Sequence, residues 1–321
     1  MTQKESLLWI VDDFRYARKH CYQFQLGETL RKNFRVRCVS LRELKMFGGF
    51  SILPAWCYDN VLCSVRIRVL RDVVDKIAPM LSHKKIWVYD EDPWESFIDE
   101  SALSGSYEKI KDGFARQFVS VAGFIVQSTW WAEFIRARGF PAKAFQIGLL
   151  PRLCTTGRVW DKRSIPAGFQ GSPKPHRISF FAELEEDGIF VEQFKCSSYH
   201  HYLKQLQNTQ VFIHPETKPF IVNGKSVVSN GMWGRDVEVA AQGAFVLRNE
   251  EPEGFIYGIS EIPTIRTFKS IEEVPRILSE IIEMDPNERE FMREKAVSYI
   301  RQRDYWHSVV DIIKVPDFYR D

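Results

Sequence analysis

Short apolar runs alternate with helical patterns along both halves of this 321-residue chain, and that rhythm leaves few folds open. Leu7-Leu8-Trp9-Ile10-Val11 and Ile86-Trp87-Val88-Tyr89 read as strands, each ended by acidic residues. Further strands are expected over 36–41, 123–127 and 144–150, with helices through Leu26 and Leu30 and over 65–80, 107–118 and 130–138. Strands separated by helix-length segments build parallel sheets with crossover helices.

The texture changes at 151–175, where Pro151, Gly157, Pro166, Gly168, Gly171, Pro173 and Pro175 cluster and suggest a linker. A second alternation is then expected. It has a strand at Ile178-Ser179-Phe180-Phe181, a helix over 199–208, the strand Val211-Phe212-Ile213, a long loop to Gly231, a short helix and the strand Phe245-Val246-Leu247. Two helices, over 271–284 and 286–305, close the chain. The length suits two domains with separate cores. The expected division is a first doubly wound Rossmann-like domain at 1–155, a linker at 156–176, a second such domain at 177–290, and a terminal helix at 291–321 packing back on the first. Two such domains would face each other across a cleft, with ligands at the carboxyl ends of the strands.

Composition narrows the function. A net charge of +2 gives no strong electrostatic case for nucleic acid as a partner. Hydrophobic content of 45% is that of a soluble globular protein. The six cysteines show no C-x-x-C and no zinc-ligand spacing, so they read as thiols in a reducing cytoplasm. The first residues, MTQKESLLWIVDD, lack signal-peptide character, and no apolar run approaches the ~20 residues of a membrane span. Aromatic clusters such as Trp130-Trp131 leave room for peripheral association with the inner face of a membrane.

The stretch from Asn230 to Leu247, NGMWGRDVEVAAQGAFVL, carries the chemistry. A glycine turn at Gly231 and Gly234 leads into a helix with Arg235, Asp236 and Glu238 in its first turns, and Gly243 ends it. Backbone N–H groups at such a turn attract phosphate. His214 ends the preceding strand, and Lys225 and Lys218 lie in the loop between.

This stretch resembles the donor-sugar half of GT-B glycosyltransferases, in which a Glu precedes a small-residue helix. Here Glu238 is followed by Ala240, Ala241 and Gly243. The last 110 or so residues, from RDVEVAAQGAFVLRNEE to the paired closing helices, look like the CgeB-like group. The resemblance implies that Glu238 holds the ribose of a nucleotide sugar and Arg235 neutralises its diphosphate. Asn230, Gly231, Gly234, His214 and Lys225 would complete the donor site. It implies no metal and no cofactor beyond the donor. Many GT-B enzymes carry a second Glu eight positions before the ribose Glu; this chain has Asn230 there.

The first half would then supply the acceptor site. Its acidic loop Asp90-Glu91-Asp92-Pro93-Trp94-Glu95 follows a strand, and clustered carboxylates can raise one pKa toward that of a general base. Asp92, Asp90 and Glu91 are the candidates, with Asp12 and Asp13 in reserve. The function expected is transfer of a sugar to a hydroxyl of a glycan, lipid-linked or small-molecule acceptor. Two alternatives are a catalytically inactive GT-B-like binding module and a DNA-base glycosyltransferase. An NAD-dependent oxidoreductase is disfavoured, because VDDFRYARKH rather than G-x-G-x-x-G follows the first strand.

Overall fold

The computed structural model describes residues 4–13, 21–47, 57–90, 100–145, 147–215, 219–222, 225–228, 234–250, 261–303 and 306–314. They form two α/β units: residues 1–146, 219–229 and 305–321 make the first, and 147–218 with 230–304 the second.

The first unit holds a six-stranded sheet. Its strands are β1 (Ser6–Val11), β2 (Arg35–Ser40), β3 (Asn60–Ser64), β4 (Lys85–Asp90), β5 (Ser120–Val126) and β6 (Ala142–Ala144). They lie in the order β2-β1-β3-β4-β5-β6, every neighbouring pair parallel. All six residues of β1 are buried, as expected for a central parallel strand covered on both faces. Helices α1 (Cys21–Asn33), α2 (Leu41–Phe47), α3 (Ile67–Ile77), α4 (Glu100–Ala115) and α5 (Thr129–Arg136) make the crossovers. α3 buries Ile67, Leu70, Val73, Val74 and Ile77, a helical stripe. α4 approaches it closely, since a Cβ on Gly113 would lie 2.7 Å from a Val74 methyl carbon. The Trp130-Trp131 pair belongs to this packing. Trp131 is buried, and half-buried Trp130 meets it edge-to-face at 4.7 Å. Among the described residues no helix is long and apolar enough to cross a membrane.

The second unit holds a five-stranded sheet. It comprises β7 (Ile165–Phe169), β8 (Glu192–Gln193), β9 (Thr209–His214), β12 (Phe245–Asn249) and β13 (Ile265–Phe268), in the order β13-β12-β9-β7-β8, all parallel. Its helices are α6 (Pro175–Glu186), α7 (Tyr199–Asn208), α8 (Gly234–Ala240), α9 (Val274–Glu283) and α10 (Pro286–Gln302).

Several expectations are corrected. The linker at 156–176 is part of the second unit, and it contains a core strand, β7. Residues 178–181 are helical in α6, not a strand. Pro175 opens that helix at a position where its missing N–H costs nothing, and Arg177, Phe181 and Leu184 recur at helical spacing on the buried side. A four-residue apolar run alone cannot distinguish the two. The loop to Gly231 contains an antiparallel hairpin, β10 (Pro219–Val222) with β11 (Lys225–Val228), grouped with the first unit. β3 adds a strand to those expected, and β6 meets the strand expected over 144–150 only at Ala144, since 145 and 147–150 are not in a strand. The 291–321 boundary also moves: α10 stays in the second unit, and only α11 (His307–Lys314) and its flanks return to the first. There Trp306 donates from Nε1 to Gln25 Oε1 at 3.2 Å.

Two buried arginines turn the proline-rich segment into a fixed layer. Arg163 donates to the carbonyls of Leu206 at 3.1 Å, Gln242 at 2.9 Å and Arg158 at 3.0 Å. Arg293 donates to Gly243 O at 2.6 Å and Thr156 O at 2.7 Å. Buried carbonyls need such partners. Gly243 ends α8's exit turn with φ +68°, and a Cβ there would lie 2.6 Å from Thr156 O. Gly243→Ala should therefore lower unfolding free energy by at least the ~1–2 kcal/mol of a left-handed non-glycine residue, with the clash adding to it. Urea denaturation checks this; a loss below ~0.5 kcal/mol, the range of a neutral surface change, would contradict it.

Candidate active site

Ligands of open parallel sheets collect at the carboxyl ends of the strands, where the order reverses direction. In the second unit that point lies between β7 and β9, which pair while β8 runs off the other side. The two strands end at Phe169 and His214.

After Phe169 the chain turns through Gly171 into α6. A Cβ on Gly171 would lie 2.5 Å from the Phe169 ring and 2.8 Å from an Arg177 guanidinium nitrogen, so only glycine lets the turn pass so close. Arg177, in the first turn of α6, is 4% exposed and donates to Ser172 O at 2.8 Å. Its guanidinium lies 5.2 Å from the Phe169 ring centroid, and that of Arg235 lies 6.0 Å from the same centroid. Burial first, and then the charge of Arg235, pull Arg177 down to about 10, which leaves it cationic at neutral pH. Two neighbouring cations share one aromatic ring.

Arg235 is half-buried and opens α8, where every other residue is buried. Its neighbour Asp236 turns to the sheet. Asp236 Oδ1 accepts from His214 Nδ1 at 2.8 Å, and Oδ2 accepts from an Arg248 guanidinium nitrogen. Arg248 comes from β12, and all three side chains are at most 2% exposed. Because Asp236 accepts, the proton of neutral His214 sits on Nδ1. Burial lowers the His214 pKa to about 4 against the pull of Asp236, so the contact is a hydrogen bond to a neutral ring rather than an ion pair. One turn on, Glu238 is 1% exposed, and its Oε1 accepts from the Tyr199 hydroxyl at 2.8 Å.

The second unit thus brings together Arg235, Gly234, His214 and Glu238 of the expected donor set, and adds Phe169, Arg177, Tyr199 and Arg248. Phe169 and Arg177 were hidden because their segment reads as linker and strand. Proline at the first position of α6 was the available signal. Asn230 and Gly231 lie outside the described residues. Lys225 stands on β11 of the first unit, its side chain outside the described part. In the first unit, Asp90 ends β4 at 3% exposure, and its Oδ2 accepts from the Tyr107 hydroxyl at 2.8 Å. Glu91 and Asp92 lie outside the described residues. Of the reserves, Asp12 accepts from Arg66 Nε at 3.1 Å. Among the described residues no group of three or more His, Cys, Asp or Glu side chains is placed to hold a metal ion.

Similarity to known proteins resides in the fold. No protein-family model matches the chain, and no curated protein matches its sequence. Among solved structures, an α-glucosyltransferase in complex with UDP and a 13-mer DNA containing an HMU base has a TM-score of 0.60 at 10% identity, covering 97% of this chain and 100% of that one. HepE of Anabaena in complex with UDP-glucose has a TM-score of 0.59 at 11% identity, covering 96% and 98%. Sucrose-phosphate synthase of Thermosynechococcus elongatus has a TM-score of 0.60 at 11% identity, covering 95% and 96%. The chain has the GT-B fold.

The buried imidazole makes stability depend on pH. An unfolded His titrates near 6.5 and folded His214 near 4. Between those values the unfolded chain binds a proton that the folded one excludes, so stability is full above pH 6.5 and falls as the pH drops toward 4. His214→Asn keeps a donor toward Asp236 but cannot titrate. The variant should lose less stability than the wild type between pH 7 and pH 4.5 in thermal melts; parallel losses would show that His214 is not the group responsible.

Proposed function

We propose that the chain is a glycosyltransferase that moves a sugar from a nucleotide-sugar donor, of the UDP class, to an acceptor hydroxyl. The observation that carries this reading is the pair Arg177 and Arg235 on one Phe169 ring, at the strand-order reversal of a GT-B second unit. Two cations side by side repel each other, and a diphosphate relieves that repulsion most when the glycosidic bond breaks and charge gathers on the leaving group. Glu238, about one turn beyond Arg235 in α8, accepts hydrogen bonds from the hydroxyls of the donor ribose. UDP or UDP-glucose bound to two of the structures cited supports the choice of nucleotide.

On the acceptor side the general base comes from the acidic segment Asp90-Glu91-Asp92. Tyr107 holds Asp90, its first residue, and Asp92 or Glu91 takes the acceptor proton. The closing 110 or so residues support a CgeB-like subgroup. The acceptor is a glycan, a lipid-linked sugar or a small molecule. A second reading, transfer to a modified DNA base, gains support from two neighbours that match along 97% of this chain. One holds DNA with an HMU base, and the other is T4 phage β-glucosyltransferase. The +2 net charge weighs against it.

A thermal-shift screen against UDP, GDP, CMP, dTDP and ADP tests the donor site. Ligand at ~100 Kd adds about 2.7 kcal/mol to folding stability. UDP should stabilise the wild type. Arg177→Ala and Arg235→Ala should each weaken it about 10- to 100-fold, the worth of a charge-assisted hydrogen bond. Unchanged affinity in both variants would remove the diphosphate role, and no shift with any nucleotide would leave the inactive binding module. Glucosylation of HMU-containing DNA, assayed with UDP-glucose, separates the second reading from the first.

A further inference from the structure

A recess of about 630 Å³ opens at the amino ends of β1 to β4, the edge of the first unit's sheet away from the strands' carboxyl ends. That is the size of a small-molecule site. Its described lining holds four cations, Lys4, Arg35, Lys85 and Lys314, and two acids, Glu5 and Asp59. Trp87 of β4 and Ile313 of α11 are buried parts of its wall. Strand register gathers the charges. Ser6 pairs with Arg35 and Leu7 with Asn60, so the starts of β1, β2 and β3 lie side by side. Arg35 opens β2 and Lys85 opens β4. Lys314 ends α11, and its ammonium stands 5.3 Å from the ring centroid of Phe34, the residue before Arg35. A helix carboxyl end favours a cation such as Lys314, but Arg35 and Lys85 open strands and have no such reason to be there.

Both acids are engaged by the edge of the sheet. Asp59 Oδ2 accepts from Ser6 N at 2.6 Å and from Ser6 Oγ at 2.8 Å, and Glu5 Oε2 accepts from Asn60 Nδ2 at 2.9 Å. The backbone and then the hydroxyl of Ser6 hold the Asp59 carboxyl below the usual carboxylate range, so it is charged at neutral pH. Four cations against two carboxylates leave the described lining with an excess of two positive charges. A recess with such an excess draws in anions, and ammonium and guanidinium groups offer only donors. We infer that this recess binds a small phosphate-bearing ligand, with Arg35 and Lys85 as its principal contacts. A phosphate monoester or diphosphate matches both the charge and the planar fork of an arginine. The site stands at the other end of β4 from Asp90, about 17 Å away at the rise of a parallel strand, and so apart from the acidic segment.

Calorimetric titration with pyrophosphate at physiological salt tests this, on the full-length chain carrying Arg235→Ala so that the candidate donor site does not dominate the signal. Pyrophosphate should bind in that background. Arg35→Ala and Lys85→Ala should each weaken it about tenfold or more, the worth of a charged hydrogen bond. Lys76→Ala, which removes an exposed cation from the last turn of α3, should leave it unchanged. No binding in the background, full affinity in both Arg35→Ala and Lys85→Ala, or an equal loss in Lys76→Ala overturns the site. Arg35 and Lys85 are exposed, and thermal melts confirm that each variant is folded. Co-sedimentation with vesicles of phosphatidylcholine, alone or mixed equally with phosphatidic acid, identifies the source of the phosphate. Pelleting with the acidic vesicles that Lys85→Ala abolishes assigns a lipid headgroup. Pyrophosphate binding without pelleting assigns a soluble phosphate ester.

Discussion

A single buried carboxylate, Asp236, organises the candidate site. Taking a charge out of water costs several kcal/mol unless it is paired and hydrogen-bonded. Asp236 is satisfied on both oxygens, by Arg248 from β12 and His214 from the end of β9. That links the first turn of α8 to two adjacent strands of the sheet. Its sequence neighbours inherit the placement. Arg235 is set over Phe169 at the end of β7, and Glu238 is set against Tyr199. Remove Arg248 and an uncompensated charge stays buried under α8.

The same pairing decides the electrostatics. Read along the helix, Arg235 and Asp236 look like a self-neutralising pair. In the folded unit the Asp236 carboxylate accepts from Arg248 and His214, while Arg235 lies beside Arg177 on the Phe169 ring. Gly171 makes the second half of this arrangement possible, because any side chain there would push Arg177 or the Phe169 ring aside. A neutral His214 contributes no further positive charge at physiological pH. The site therefore concentrates its cationic character on two guanidinium groups, which suits the planar, bidentate recognition of phosphate oxygens.

Elements defined by their own residues were legible before folding. The continuous apolar run of β1, the helix at Tyr199–Asn208 and the strand entering His214 all stand where the pattern put them. α8 was legible too, because a glycine turn, an acidic first turn and Gly243 mark both of its ends. The segment 165–181 was not. Pro166, Gly168 and Gly171 disguise β7 and its exit as linker, and Ile178-Ser179-Phe180-Phe181 fits strand and helix equally well over four residues. Misreading that segment hid Arg177. Tyr199 and Arg248 were hidden for another reason. Each was visible as part of an element, but its role comes from a partner 39 or 12 residues away that only the tertiary fold brings close.

The first unit handles its acid differently, and the contrast bears on proton transfer. Asp90 ends β4 at the position where an exposed base was expected, yet it is buried and accepts from Tyr107. Burial, followed by the charge and hydrogen bond of Asp90, raises the Tyr107 pKa well above 10, so the phenol remains a donor at any working pH. With one oxygen occupied by the phenol and almost no exposure to water, Asp90 is poorly placed to meet an acceptor hydroxyl. Asp90 therefore ties the end of β4 to α4. Asp90 is thus met by a neutral phenol, where Asp236 is met by a guanidinium and an imidazole.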